Sequence, residues 1–319
     1  MKLYTHDGVF HADEVFASVV LLKIFNQDRI ERVSFISNEV KEMEEKGEAI
    51  VYDIGGGRYD HHQKGGNGYR VIDEEENPKG FYSSFGLIWR EFGQEYCQKV
   101  LVNSIATLIY DINIEELSSI IDSTFVSGID AIDTGEYKTE KGSVRILNVS
   151  NIISLCNKDW YEDFDLDGLT KNLKKKESKI DFHFQDGLWI ARNILEKVVK
   201  NEAAKLAAKD IVIDAINNAK DGIMTLEYFV PWQSPVQEYG DEILFIVFPS
   251  MRGGWNVQAV PPFAGSRDQK IPFPVNWRGV KELPGIPDFI FCHPAGFIAG
   301  AESKESCIKM AKMAIEQAE

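Results

Sequence analysis

The chain has 319 residues, 44% of them hydrophobic and 27% charged, with a formal net charge of −15. That balance supports a buried core, and the length suits two domains. The acidity excludes broad, non-specific binding of a polyanion through a basic surface, yet leaves a phosphate substrate open, because bound divalent cations reverse the field in an acidic site.

Lys2–Thr5 reads as a short strand. A helix follows over Asp13–Phe25, with Val15, Val19, Leu22 and Phe25 on one face. Val33–Ile36 is strand-like, Glu39–Lys46 a charged helix, and Ala49–Asp53 a second apolar strand before Gly55-Gly56-Gly57. Strands separated by helices predict a mostly parallel sheet flanked by helices. Gly65–Gly80 reads as a loop, Ser83–Phe92 and Cys97–Tyr110 as helices, and Ile114–Ile132 as mostly helical. Lys171–Lys179 is a basic run, best read as a solvated helix face. Asp186–Asn218, rich in Ala, Lys and Glu, predicts a long connecting helix. Gly222–Phe229, Ile243–Phe248, Trp255–Val260 and Phe289–Phe291 are strand candidates, and a last helix spans about Ser303–Gln317. The expected fold is therefore α/β. A catalytic domain over 1–180 is joined by a long helix to a smaller α/β domain within 181–319.

No apolar run reaches the ~20 residues of a membrane span. The start, MKLYTHDGVFHADEV, has a histidine and an aspartate where a signal peptide would be apolar, so a cytoplasmic protein without a membrane partner is expected. Cys97, Cys156, Cys292 and Cys307 form no CxxC pair and read as reduced thiols. A homo-oligomer remains open.

Four of the six histidines, His6, His11, His61 and His62, fall in the first 62 residues, among Asp7, Asp13, Asp53 and Asp60. Each follows, or nearly follows, an expected strand, and ligands of open α/β sheets gather outside the carboxyl ends of strands. Gly128-Ile129-Asp130-Ala131-Ile132-Asp133-Thr134-Gly135 adds two more carboxylates. Mixed nitrogen and oxygen donors suit manganese, zinc or iron, and a carboxylate-rich set favours a dinuclear site. Singly, each residue has a plainer reading: Asp13 as a helix N-cap, Asp53 as a strand-end turn residue, Asp60 as a turn residue after glycines. Together, the plainer reading needs a coincidence at every strand end.

At these residues the chain resembles the DHH phosphoesterase superfamily, named for the triplet seen here as Asp60-His61-His62. It is closer to the MYG (melanocyte proliferating gene) family of exonucleases. The matching blocks are THDGVFHADE at 5–14, VYDIGGGRYDHHQ at 51–63, GIDAIDTGE at 128–136, WNVQAV at 255–260, PVNWRG at 274–279 and FCHPAGFIAGAESKE at 291–305. The resemblance implies metal ligation by His6, His11, Asp13, Asp53, His61 and Asp133, with Asp53 bridging and Asp130 competing with Asp133. It implies two divalent cations, manganese foremost, with magnesium, zinc or iron as alternatives. His11 stands where the superfamily has an aspartate, which alters the charge on one metal. His62 would face the substrate and Asp60 would orient His61. In the second domain His293 and Gly296, in a strand–loop–helix, would present backbone N–H groups to a phosphate, and Arg252 would clamp one.

The expected function is hydrolysis of phosphodiester bonds by a two-metal-activated water. A 3′–5′ exonuclease acting on RNA or short oligonucleotides leads. A hydrolase of a small phosphoester, pyrophosphate or cyclic dinucleotide is the alternative, and a non-catalytic metal or nucleotide binder comes last.

Overall fold

The first strand, β1 (Lys2–His6), buries Leu3, Tyr4 and Thr5 in succession. It does so in a computed structural model that describes residues 1–72, 77–102, 111–138, 142, 144, 146–159 and 181–318. Consecutive burial suits a strand covered on both faces, and β1 is the middle of a parallel sheet ordered β2-β1-β3. β2 (Glu31–Val33) pairs with β1 from Tyr4↔Glu31 to His6↔Val33, and β3 (Ala49–Val51) from Lys2↔Ala49 to Tyr4↔Val51. The crossovers are α1 (Ala12–Ile24) and α2 (Asn38–Glu45). This is the expected α/β arrangement. Its consequence is geometric: parallel strands send their carboxyl ends, and the turns that follow them, to one edge.

The sequence of α1, ADEVFASVVLLKI, is apolar around most of its circumference, and every residue except Lys23 is buried. The expected single apolar face is thus part of a helix enclosed on all sides. That enclosure carries Asp13 and Glu14 inside, each 0% exposed.

Beyond β3, Tyr69–Ile72 (β4) and Pro78–Phe81 (β5) form an antiparallel hairpin where a loop was expected. The glycines on either side mask a short β-prone run, Tyr69-Arg70-Val71. Helix α3 (Ser84–Leu101) runs unbroken through the gap expected near Gly93; residues 103–110 lie outside the described ones, as does the basic run at Lys171–Lys179. Helix α4 (Ile114–Ile121) leads through a π-helical turn (Asp122–Val126) into α5 (Ser127–Asp133), and α6 (Val149–Ser154) follows.

The chain divides into two units, Met1–Ala203 and Ala204–Glu319, and the division falls within α7 (Phe182–Asn217). In the second unit, β6 (Ile223–Thr225), β7 (Phe245–Pro249), β8 (Trp255–Ala259), β9 (Phe289–Cys292) and β10 (Ile298–Ala301) form a sheet ordered β6-β7-β8-β10-β9. Only the β6–β7 pair is parallel. Val247, Val257, Ala299 and Phe273 pack with Cys307 and Met310 of the last helix, α9 (Lys304–Glu316), while Ile246, Phe248 and Met224 pack with Val212 of α7. The short helix α8 (Gln233–Tyr239) and strand β10 were not expected. No helix among the described residues is long and apolar enough to cross a membrane.

One buried polar node ties the hairpin to α3 and α5 in the first unit. Asp130 accepts from Arg70 Nη2 at 2.7 Å, Ser83 Oγ at 2.5 Å and the Gly86 amide at 3.1 Å. Arg70 also grips Asp122 through two bonds and lies over the Tyr82 ring. Gly86 leaves no room: a Cβ there would sit 2.1 Å from Asp130 Oδ2 and 2.7 Å from Tyr82. Gly86→Ala should therefore cost about 1–3 kcal/mol of stability by overpacking, read as a lowered urea midpoint; an unchanged midpoint would contradict this packing.

Candidate metal centre

β1 ends at His6, and the chain must then turn into α1. Two side chains hold that turn. Arg32, on β2, donates to the carbonyls of His6 (3.1 Å) and Gly8 (2.8 Å), pairs with Asp181, and lies over the Phe184 ring. Asn157 accepts from the Phe10 amide and donates to the Phe10 carbonyl. With its Nδ1 on the Asp7 carbonyl at 2.8 Å, His6 turns Nε2 toward Glu14 Oε1 (3.1 Å) and Asp53 Oδ2 (3.2 Å).

Asp53 follows β3 and has a backbone φ of +59°. Aspartate tolerates this left-handed region better than most residues, and Gly55 and Gly56, also at positive φ, complete the turn. The carboxylate accepts from Ser84 Oγ at 2.9 Å, at the first turn of α3. His61 lies beside it, with Nδ1 3.3 Å from Asp53 Oδ1 and 3.9 Å from Asp13 Oδ2, and with Nε2 2.8 Å from Asp133 Oδ2. Asp133 is therefore the carboxylate of the IDTG block that reaches the cluster, whereas Asp130 is committed to Arg70, Ser83 and Gly86. His11, at the start of α1, is exposed but falls within the same grouping as Asp13 and Glu14.

Asp60 does not orient His61 as expected. Its Oδ1 accepts from the His62 amide at 2.9 Å and meets His62 Nδ1 at 3.0 Å, while Oδ2 takes the Gly56 amide at 2.7 Å. Two residues of separation let Asp60 fold back on the second histidine, in the manner of an Asx turn. His62 is thereby aimed, and it remains 60% exposed.

Burial and charge set the protonation of this group. His6 is raised to about 10, chiefly by its hydrogen bonds to Asp53 and Glu14. Burial alone would lower His61, but Asp133 and Asp53 outweigh it and raise it to about 10. Burial would lift Asp53, yet His6 and His61 hold it below the usual carboxylate range. Asp13 is different. Neither of its oxygens has a hydrogen-bond partner, and burial together with the Asp53, Glu14 and Asp133 charges pushes its carboxyl well above its ordinary value. A buried carboxylate without a partner is costly, and a cation among the neighbouring donors would supply the missing interaction. The donor set fits. Asp13, His61 and Asp133 offer ligand atoms within 4.8 Å of one another, as do His6, Glu14 and Asp53, and His11, Asp13 and Glu14. Imidazole nitrogen with carboxylate oxygen suits manganese, zinc or iron.

All six expected ligands thus converge, and Glu14 joins them. A signal for it existed: an acidic residue three positions after His11 on an otherwise apolar helix shares a face with it. Ser84, Arg32 and Asn157 carried no comparable mark.

The second unit corrects two expectations. Phe289–Cys292 leads into a β-hairpin with β10, not directly into a helix. The amides of that turn are already used: His293 N on Ile298 O, Gly296 N on His293 O, and Ala295 N on His293 Nδ1. The N-terminus of α9 is likewise taken by Asp288, which accepts from the Ser303 amide (2.9 Å), Ser303 Oγ (2.6 Å) and Ser306 Oγ (2.5 Å). Gly296 instead makes space, since a Cβ there would lie 2.6 Å from Arg278 Nε. Arg252 sits in the β7–β8 turn beside the Trp255↔Ala301 end of the sheet, whereas the His293 turn is at the Ile298↔Gln258 end. Arg252 and His293 therefore do not share a site. Beside the His293 turn lies an open pocket of about 460 Å³ lined by Trp232, Gln233, Gln258, Arg267, Gln269 and Phe297.

Imidazoles and largely buried carboxylates clustered along the carboxyl edge of a parallel sheet make this an α/β protein with a donor set that could hold metal. The profile of uncharacterised protein family UPF0160, that of the MYG1 exonucleases, matches residues 2–315, and the chain belongs to this family. The MYG1 protein of Schizosaccharomyces pombe is 29% identical over 99% of this chain and 98% of its own. The human MYG1 exonuclease is 26% identical over 99% of this chain and 86% of its own. A solved pGpG-specific phosphodiesterase from Vibrio cholerae aligns over 99% of this chain and 98% of its own at 11% identity, but its TM-score of 0.25 does not establish a shared fold.

The raised imidazoles make a prediction for protein stripped of divalent metal by a chelator. A histidine whose pKa rises on folding contributes stability that is complete below its unfolded value of 6.5 and is lost as the pH climbs through about 10. The urea midpoint of stripped protein should fall between pH 6.5 and pH 10.5, and His6→Asn should flatten the fall. A midpoint constant across that window in the unsubstituted protein would contradict this electrostatic picture.

Proposed function

We propose that this protein is a metal-dependent phosphodiester hydrolase, a 3′–5′ exonuclease that releases mononucleotides from short RNA. The observation that carries the proposal is the fully buried Asp13 carboxylate, without a hydrogen-bond partner, among the converging donors. The name MYG1 exonuclease borne by the cattle and human relatives supports the reaction class.

Two divalent cations, manganese foremost, would be held by His6, His11, Asp13, Asp53, His61 and Asp133. Bound there, such cations lower the pKa of a water nucleophile and offset the charge that builds on the phosphoryl oxygens. His62 is the side chain placed for the substrate. Its exposed ring, anchored through Nδ1 by Asp60, presents Nε2 to a phosphate oxygen or to the leaving oxygen, which it protonates. Arg32 and Asn157 fix the turn that aims His6. The net charge of −15 repels a long polyanion and favours a short one. In the second unit, the pocket beside His293 offers Arg267 for a phosphate and the part-exposed Phe297 ring as a face for a base. A cytoplasmic location is consistent with this substrate.

The test is a short 5′-labelled RNA incubated with manganese. A ladder shortening from the 3′ end, abolished by chelator and lowered at least about a thousandfold by His61→Ala, is expected; several kcal/mol of transition-state stabilisation is at stake. Release of inorganic phosphate without mononucleotide would move the reading to a small phosphoester or pyrophosphate. Chelator-insensitive cleavage, or none in folded protein, would end it.

A further inference from the structure

Glu14 entered none of the expected ligand sets, and its position calls for more than a helix cap. It belongs to both donor groupings on the His6 side of the cluster, with His6 and Asp53 and again with His11 and Asp13, every ligand atom within 4.8 Å of the others in its group. It is 0% exposed. Its visible task is local: Oε1 and Oε2 accept from the His11 amide at 2.8 and 2.9 Å, the reciprocal half of a capping box. A carboxylate has about four acceptor sites, and this amide with His6 Nε2 leaves part of that capacity unused. The second observation is its neighbour. Asp13, also 0% exposed, directs a carboxylate whose two oxygens have no hydrogen-bond partner into the same grouping. Four carboxylates (Asp13, Glu14, Asp53 and Asp133) thus meet two imidazoles turned toward them, His6 and His61.

We infer that Glu14 is a metal ligand on the His6 side of the centre, supplying a carboxylate beside two histidines, His6 and His11. The inference rests on the metal reading above and adds a seventh protein ligand to it. A buried glutamine at this place would keep the capping bond, because Gln serves as well as Glu in a capping box, and would lose the charged donor with its ion pair to His6. That separates a ligand from a cap.

The experiment uses full-length protein, stripped with chelator and re-equilibrated with Mn2+ alone. Bound manganese is measured by elemental analysis and by a binding isotherm, alongside thermal melting of the stripped forms. The unsubstituted protein should take up two equivalents. Glu14→Gln should still fold and melt cooperatively when stripped, yet lose one equivalent or bind it at least about tenfold more weakly. Equal stoichiometry and affinity in the two proteins would overturn the inference and leave Glu14 as a cap, with the metal reading intact. No uptake by the unsubstituted protein would overturn both. Should Glu14→Gln fail to fold, manganese-soaked crystals of the unsubstituted protein give the answer. An anomalous peak at coordination distance from a Glu14 oxygen supports ligation; peaks coordinated only by the other residues refute it.

Discussion

Asp13 carries a carboxylate with no hydrogen-bond partner, one residue into a helix that has almost no exposed face. Isolated charges in such places cost several kcal/mol or give up their ionisation. The His61 ring, 3.9 Å from Asp13 Oδ2, is too far to hydrogen-bond to it, and burial together with the carboxylates of Asp53, Glu14 and Asp133 raises its pKa. The rest of the cluster responds to the same excess of negative charge. His6 and His61 hold their protons to about pH 10, acting as counter-charges between carboxylates. Divalent ions held by these rings would take the place of the imidazolium protons, and the one beside His61 would satisfy Asp13. The ligand set therefore forms a mutually dependent group, not a row of independent sites.

The fold serves that group by controlling where polar residues leave apolar elements. β1 and β3 are adjacent and parallel, so His6 and Asp53 emerge side by side from one edge. The apolar sequence of α1 draws Asp13 and Glu14 in with it. Behind this edge a second polar network, in which Asp130 binds Arg70, Ser83 and Gly86, locks the hairpin, α3 and α5 together. α5 then delivers Asp133 and the start of α3 delivers Ser84. Asp130 and Asp133 have the same chemistry and sit three residues apart, yet one serves the scaffold and the other the site. Both face inward, but Asp130 meets a fixed cation in Arg70 while Asp133 meets His61.

How much of this was legible follows from what each residue contrasts with. His6, Asp53 and the Asp60-His61-His62 triplet stand out because polar, ligand-forming side chains end apolar strands, and a chain poor in histidine concentrates them there. The parallel α/β frame was legible for a related reason, since apolar runs separated by a helix-length spacing leave few topologies. Glu14 was not, because an acidic residue in a helix's first turn is ordinarily explained by the helix dipole. The partner of Asp60 was hidden in local geometry: whether a side chain folds back on the residue one or two ahead depends on turn dihedrals that residue types do not encode. β4, β5 and β10 were obscured by their glycines. In the second unit, the anion-binding N–H groups expected near His293 and at the last helix are taken by neighbouring acceptors, Asp288 among them. Competition of that kind becomes visible only once distant residues are brought together.

The central claim is that a divalent cation compensates the charge of Asp13, and Asp13→Asn tests it most directly. The replacement keeps the shape and removes the buried charge. Thermal melting of stripped protein, before and after adding Mn2+, should show the substituted form at least as stable as the original when metal-free and almost unresponsive to metal, while the original rises sharply. Equal metal-induced shifts in the two proteins, with the substituted one less stable from the start, would contradict the account.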